Sequence, residues 1–121
     1  MKVSIVGLGL IGGSMALDLK SSGFASYVIG VDLDPQHCQQ AMDLQLVDEV
    51  LPLAPALGRC DLVVLAVPVQ HIVQLLPKVL DQVQDQVVID VGSTKKITSD
   101  AVREHPKRLN YVATHPMAGT E

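Results

Sequence analysis

Three glycines near the amino terminus have the spacing of a loop that binds phosphate groups. Gly7, Gly9 and Gly12 follow a short apolar stretch and precede a segment with helical character. In a strand–turn–helix unit the first glycine permits the tight turn, the second lets a pyrophosphate approach the backbone, and the third allows close helix packing. The N–H groups of Leu10 and Ile11 would then face the phosphates, where the helix dipole favours negative charge.

Asp32 lies twenty positions after Gly12. An acidic residue about 20 positions beyond such glycines is expected to bind the adenosine ribose of a dinucleotide. A 2′-phosphate would meet the charges of Asp32 and Asp34, and residues 33–36 contain no arginine. The sequence therefore predicts a dinucleotide site that strongly prefers NAD over NADP. Two alternatives stay open: a tight turn that binds nothing, and an Asp32 that only caps the turn before Pro35.

Ser93 and His115 are the candidates for catalysis because both follow predicted strands at the edge where an α/β sheet holds its ligand. Histidine is the side chain best suited to proton transfer near neutral pH. Ser93 alternatively serves as the N-cap of the next helix. Lys95 and Lys96, in the first turn of that helix, are either solvated or directed at an anionic ligand.

The predicted strand 61–67 ends at Val67, directly before Pro68 and Gln70, and we expect these three residues to line the cofactor. His71 opens the following helix and is a further candidate for contact with the cofactor. The two remaining histidines, His37 and His105, are expected to be solvated surface groups. No metal site is predicted.

Composition excludes several classes of protein. The 121 residues suffice for one domain with a core, and 48% of them are hydrophobic whereas 2% are aromatic. The net charge of −4 argues against nucleic-acid binding, and apolar runs are too short to span a membrane. Cys38 and Cys60 fit neither a metal spacing nor a disulfide framework, which predicts reduced thiols in a cytoplasmic protein.

The chain alternates between apolar strands and helices joined by short connections, which predicts a doubly wound, mostly parallel sheet of the Rossmann type. Residues 1–121 would form a single dinucleotide-binding domain. Pro77 is expected to kink the third helix or to begin a second short one. The predicted strands are 2–6, 27–32, 47–51, 61–67, 87–91 and 109–113; the predicted helices are 10–22, 36–45, 69–82 and 95–105, with a helical turn or loop at 52–58.

Three segments together resemble the prephenate/arogenate dehydrogenase family of tyrosine biosynthesis: Gly7 to Ser14, Asp90 to Lys95, and His115 to Glu121. The resemblance implies an NAD-dependent oxidative decarboxylation of prephenate to 4-hydroxyphenylpyruvate. It also implies that His115 accepts the proton of the substrate hydroxyl, and that Ser93 hydrogen-bonds this hydroxyl and orients the imidazole. Three alternatives stay open. The chain could belong to an arogenate dehydrogenase, to a related β-hydroxyacid or imine oxidoreductase, or to a non-catalytic module that senses NAD.

The resemblance covers only the amino-terminal, nucleotide-binding half of that family. It implies a following helical domain that forms a homodimer and supplies an arginine for the substrate carboxylates. Arg59, Arg103 and Arg108 do not lie in the corresponding motif. Because the chain stops at Glu121, directly after a predicted strand and loop, we expect a piece of a longer protein with little or no activity of its own.

Overall fold

A computed structural model describes residues 1–91 and 100–112 of the chain. The strands of these ranges are β1 (Lys2–Val6), β2 (Tyr27–Val31), β3 (Glu49–Val50), β4 (Leu62–Leu65), β5 (Val87–Asp90) and β6 (Tyr111–Val112). The helices are α1 (Leu10–Ser21), α2 (Pro35–Asp43), α3 (Leu53–Leu57) and α4 (Val69–Gln82), with a short 3₁₀ helix at Arg108–Asn110.

The strands form one sheet in the order β3-β2-β1-β4-β5-β6, and every pairing among them is parallel. Such strands are covered on both faces, which explains why they read as nearly continuous runs of Val, Ile and Leu. The strand order reverses between β1 and β4, where Val6 lies opposite Val31 on one side and Leu65 on the other. A crevice at the carboxyl ends of the strands is therefore expected at this point. The predicted α/β fold class is confirmed.

Alternate residues of the strands belong to two separate hydrophobic clusters, one on each face of the sheet. Ile29, Val63 and Val88 pack with residues of α3 and α4 on one face. Val28 and Val64 pack with residues of α1 and α2 on the other face. Helices thus cover both faces of the sheet.

Helix α4 runs through Pro77 as one helix, which excludes the second short helix; the other alternative, a kink at Pro77, stays a prediction. A proline inside a helix removes one backbone hydrogen bond and typically costs about 3 kcal/mol or more. Ile72, Leu76, Val79 and Leu80 are all fully buried on the same side of the helix. Burial of each such side chain contributes roughly 1.5–3 kcal/mol, which outweighs the cost of the proline.

The last predicted strand begins later than expected, because Arg108–Asn110 forms the 3₁₀ helix and β6 starts at Tyr111. The side-chain amide of Asn110 donates to the carbonyl oxygens of Gln84 and Gln86 at 2.8 and 2.9 Å and holds this turn against the preceding loop. Of the helix predicted over 95–105, residues 100 and 101 are helical and 102–104 form a turn. Residues 92–99 and 113–121 lie outside the described ranges.

Candidate functional site

The glycine loop leaves β1 through a turn that requires glycine at its first position. Gly7 has a φ of +102°, and a Cβ atom there would lie 2.7 Å from the carbonyl oxygen of Ala66. Its N–H donates to the carbonyl of Val31 at 2.7 Å, which joins the turn to the end of β2. The predicted tight turn is therefore present.

Gly12 and Gly9 meet different surroundings. A Cβ atom on Gly12 would lie 1.8 Å from the carbonyl oxygen of Gly7, so this position packs against the turn itself. A Cβ atom on Gly9 would meet nothing closer than a ring carbon of His37 at 4.0 Å. Among the described residues Gly9 thus presents an open backbone, whereas Gly12, in the first turn of α1, is buried against the glycine loop.

Helix α1 begins at Leu10 with Gly9 as its N-cap, and no side chain among the described residues caps it. Its first turn contains no acidic residue. The first N–H groups of a helix lack partners within the helix and favour an anion. The side chains of Leu10 and Ile11 are 91% and 56% exposed, so a ligand would contact this end of the helix from solvent.

The carboxylate of Asp32, directly after β2, accepts hydrogen bonds from two backbone groups. Leu8 N donates to Oδ2 at 2.7 Å, and Asp34 N donates to Oδ1 at 2.8 Å. The N-cap of α2 is Asp34, whose side chain accepts from Gln36 N at 2.9 Å. Asp32 therefore does shape the turn before Pro35, as one alternative held, while the helix cap itself is Asp34.

Asp32 stays ionised at neutral pH. Burial favours the neutral acid, but the N–H groups of Asp34 and Leu8 and the ring of His37 together lower the pKa of the Asp32 carboxyl below its usual value. The stability that these contacts add is present in full above the pKa of an unfolded aspartate and is lost as the pH falls through the lower, folded value. At neutral pH a negative charge thus stands beside the glycine loop.

His37 is partly exposed, at 41% of its side chain, but it also has acidic partners that the prediction of a solvated surface group did not include. Its Nδ1 lies 3.1 Å from Asp32 Oδ2, and its Nε2 lies 3.6 Å from Asp34 Oδ2. A side chain in the first turn of a helix points back towards the amino terminus, which here places the ring over the end of β2. The direction of side chains in a helical first turn was the signal available in the sequence.

An open cleft of about 630 Å³ lies along the carboxyl edge of the sheet, beside the glycine loop. Its lining includes Gly7, Gly9, Asp32, Val67 and Pro68 among the predicted cofactor residues, together with His71. Gln70, Leu10, Ile11 and Gly12 are not part of the lining, and their contact with a cofactor stays a prediction. Asp34, expected beside the ribose, also lines the cleft. Sequence reasoning missed other lining residues, among them Leu33, His37, Leu53, Gln74, Leu75 and Lys78.

One wall of this cleft is a single face of α4. His71, Gln74, Leu75 and Lys78 recur at intervals of three or four residues and therefore lie on the same side of the helix. Leu53 of α3 also lines the cleft. The cleft thus combines apolar side chains at its walls with the charge of Asp32 at its floor.

The proposed catalytic residues Ser93 and His115 lie outside the described residues, as do Lys95 and Lys96. The strands that precede them are neighbours, because β5 pairs with β6 and Ile89 lies opposite Val112. Their roles therefore stay predictions.

A buried carboxylate lies at the end of β5. Asp90 is fully buried, and the hydroxyl of Tyr111 in β6 donates to its Oδ1 at 2.6 Å. This bond joins the carboxyl end of β5 to the first residue of β6, the strands that precede Ser93 and His115.

Substitution of Tyr111 by phenylalanine is expected to lower the free energy of unfolding by about 1–3 kcal/mol, since it withdraws a hydrogen-bond donor from a fully buried carboxyl group. Tyr27→Phe is the matched control, because the Tyr27 hydroxyl donates to Glu49, which also faces Arg59 at 3.4 Å nearer the surface. The control should lose less than about 1 kcal/mol. Urea denaturation measures both, and equal losses would contradict the importance of Asp90 burial.

His105 is not the solvated group that was predicted. Lys107 N donates to its Nδ1 at 2.9 Å, so Nε2 carries the proton and donates to Asp81 Oδ1 at 2.6 Å. Its side chain is 13% exposed. His105 thus fixes the chain before β6 to the end of α4.

Both cysteines are free thiols, as predicted, and Cys60 is buried. Burial raises the pKa of the Cys60 thiol and makes it less reactive. Over residues 1–91 and 100–112, no cluster of His, Cys, Asp and Glu is suited to hold a metal ion. Over the same ranges, no helix has the length and apolar character needed to cross a membrane.

Comparison with known proteins assigns this site to a family. The family model described as "Prephenate dehydrogenase, nucleotide-binding domain" matches residues 15–121. The chain belongs to this family. The prephenate dehydrogenase of Bacillus subtilis (strain 168) is 32% identical over an alignment of 122 positions, which covers 98% of this chain and 33% of that protein.

Solved structures of the prephenate dehydrogenase family agree with this assignment. The structure of prephenate dehydrogenase from A. aeolicus, in complex with hydroxyphenyl propionate and NAD⁺, matches with a TM-score of 0.84 and 36% identity. The match covers all of this chain and 43% of that one. Synechocystis arogenate dehydrogenase matches with a TM-score of 0.81 and 35% identity, over 96% of this chain and 41% of that one. This chain thus spans less than half the length of these relatives.

Proposed function

We propose that this chain is the NAD-binding part of an enzyme that converts prephenate to 4-hydroxyphenylpyruvate by oxidative decarboxylation. The observation that carries the proposal is the ionised Asp32, bonded to Leu8 of the glycine loop in a chain of this family. An NAD-sensing module would need the same loop and the same acid. Membership of a dehydrogenase family favours the enzyme over the sensor.

The residues of the cleft fit NAD. The open backbone at Gly9 and the start of α1 would receive the pyrophosphate, and Asp32 would accept bonds from the adenosine ribose. The apolar side chains of Leu53, Val67 and Leu75 in the cleft offer walls for the adenine ring. When bound, NAD would supply the acceptor for the hydride that leaves the substrate.

Ser93 and His115 are the proposed catalytic pair of the complete enzyme. His115 would accept the proton of the 4-hydroxyl of prephenate, and Ser93 would hydrogen-bond the same hydroxyl and orient the imidazole. The hydroxyl would then become a carbonyl as hydride departs to NAD. Loss of the ring carboxylate as CO₂ would return its electron pair to the carbonyl oxygen, which takes up a proton as the ring becomes aromatic. The pairing of β5 with β6 supports this proposal because it brings the two preceding strands side by side.

Arogenate is a second candidate substrate, since Synechocystis arogenate dehydrogenase is 35% identical and the A. aeolicus prephenate dehydrogenase is 36% identical. Prephenate and arogenate differ only in a keto or amino group on the side chain. Steady-state assays of the full-length protein with each substrate and NAD would decide between them. We further propose that a following helical domain forms a homodimer and binds the substrate carboxylates, and that the enzyme is cytoplasmic, in keeping with its free thiols.

The cofactor preference tests the role of Asp32. We expect the wild-type chain to bind NAD at least about tenfold more tightly than NADP, because a 2′-phosphate would be repelled by this carboxylate. In Asp32→Ala the Kd for NAD should rise by about 10- to 100-fold, since hydrogen bonds to a charged group contribute roughly 1.5–3 kcal/mol. The preference for NAD over NADP should disappear at the same time. Isothermal titration calorimetry with both cofactors measures these values.

Asp43→Ala is the matched control, because it removes the same charge from the exposed, opposite end of α2. Its Kd for NAD should stay within about twofold of the wild-type value. Equal affinity of the wild-type chain for NAD and NADP would remove Asp32 from cofactor recognition.

A further inference from the structure

His37 bonds to the carboxylate of Asp32, which the proposed function assigns to the adenosine ribose. It therefore uses one of the acceptor positions of this carboxylate. An ionised carboxylate offers about four lone-pair positions. Leu8 N and His37 Nδ1 use those on Oδ2, at 2.7 and 3.1 Å, and Asp34 N uses one on Oδ1, at 2.8 Å. A ribose that donates both its hydroxyls to Asp32 needs two positions. One of the present donors must therefore leave.

The two backbone donors cannot leave without changing the fold nearby. Leu8 N belongs to the loop fixed by the turn at Gly7, which is bonded to Val31. Asp34 N lies at the N-cap of α2, in a turn closed by its bond to Asp32. The His37 side chain, by contrast, is 41% exposed and needs only a rotation about its side-chain bonds to withdraw.

We propose that His37 covers Asp32 in the free protein and is displaced by the adenosine ribose when the dinucleotide binds. This inference rests on the proposed binding of NAD. The ring lies at the place that a ribose would need, since a Cβ atom on Gly9 would be 4.0 Å from His37 Cε1. Asp34 Oδ2, 3.6 Å from Nε2, gives the ring a second acidic neighbour. His37 is thus a residue that weakens binding of the adenosine half of the cofactor.

Substitution of His37 by alanine tests the displacement. We expect His37→Ala to bind ADP-ribose and NAD about three- to tenfold more tightly than the wild-type chain, because the ribose no longer competes with a hydrogen bond. Nicotinamide mononucleotide lacks the adenosine ribose, so its Kd should be the same in both proteins. Calorimetric titration of the three ligands gives these values. A merely structural role for His37 predicts the opposite, namely weaker binding of ADP-ribose in the variant.

Gln40→Ala is the matched control, since Gln40 is exposed on the same helix and does not line the cleft. It should bind all three ligands as the wild type does. Alanine is the strongest helix former, so α2 should persist in both variants, which thermal unfolding would verify. A direct measurement uses the NMR signals of the His37 ring in the wild-type chain, which should shift when ADP-ribose is added and stay in place with nicotinamide mononucleotide.

The possible failures are distinguishable. A wild-type chain that binds neither ADP-ribose nor NAD would overturn the proposed function and this inference together. Binding by the wild type, combined with equal or weaker binding of ADP-ribose by His37→Ala, would overturn the displacement of His37 alone. Tighter ADP-ribose binding in the variant, with unchanged binding of nicotinamide mononucleotide, would support both.

Discussion

Gly12→Ala is expected to abolish NAD binding and to destabilise the domain. The added Cβ atom would lie 1.8 Å from the carbonyl oxygen of Gly7 and 3.4 Å from the Cβ of Ala66. A side-chain rotation cannot relieve this clash, because the Gly7 carbonyl belongs to the backbone. The whole of α1 must therefore shift away from the sheet. We expect the Kd for NAD to rise by more than about 100-fold and the free energy of unfolding to fall by about 3 kcal/mol. Calorimetry and urea denaturation measure the two effects.

Gly9→Ala separates binding from stability in the same loop. Among the described residues its added Cβ atom meets only a ring carbon of His37 at 4.0 Å, so the fold should keep its stability to within about 1 kcal/mol. NAD binding should still be lost, because the methyl group would lie where the pyrophosphate approaches the backbone.

A Gly12→Ala protein with wild-type stability and wild-type NAD affinity would contradict the argument that Gly12 packs against the Gly7 carbonyl.

Gly58→Ala controls for the general effect of replacing glycine. Gly58 has a φ of −86°. A Cβ atom added there would lie 3.8 Å from the carbonyl oxygen of Pro55, at ordinary van der Waals distance. Alanine fits there without strain and reduces the freedom of the unfolded chain. Stability should therefore stay equal or rise by less than about 1 kcal/mol, with no change in NAD affinity.

The sequence predicted the sheet and its glycine loop because those features depend on local patterns. Buried parallel strands such as β1 and β4 are continuous apolar runs, and a turn that needs positive φ needs glycine at Gly7. The ligand edge followed from this, since the carboxyl ends of parallel strands share one side of the sheet. Packing also explains why α4 does not divide at Pro77, where four buried residues along the helix outweigh a local preference.

The environments of His37 and His105 were not predictable from apolar periodicity. His105 meets Asp81, which lies 24 positions earlier, and no local pattern encodes such a contact. His37 meets Asp32 five positions earlier, through the geometry of a helical first turn. Apolar periodicity predicts both histidines to be on the solvated surface. It describes which residues are apolar, and it says little about which polar residues meet one another.

His115→Asn is the prediction that bears on catalysis. In the full-length enzyme, turnover of prephenate should fall by about 10²- to 10⁴-fold, because asparagine can hydrogen-bond the substrate hydroxyl but cannot accept its proton. The Kd for NAD should stay within about twofold of the wild-type value. The glycine loop follows β1 and Asp32 follows β2, whereas His115 comes after β6 in the chain. Steady-state kinetics with prephenate and NAD, together with calorimetry, measure both quantities.

His105→Asn is the matched control, because it makes the same chemical change at a histidine bonded to Asp81 and Lys107. It should lower stability while leaving the pH dependence of turnover unchanged. In His115→Asn the decline in rate at acidic pH, where a catalytic histidine becomes protonated, should disappear. Unchanged turnover in His115→Asn would remove this residue from the mechanism. Loss of turnover together with loss of NAD binding would instead assign His115 to the cofactor, because a proton acceptor acts on the substrate and leaves nucleotide affinity alone.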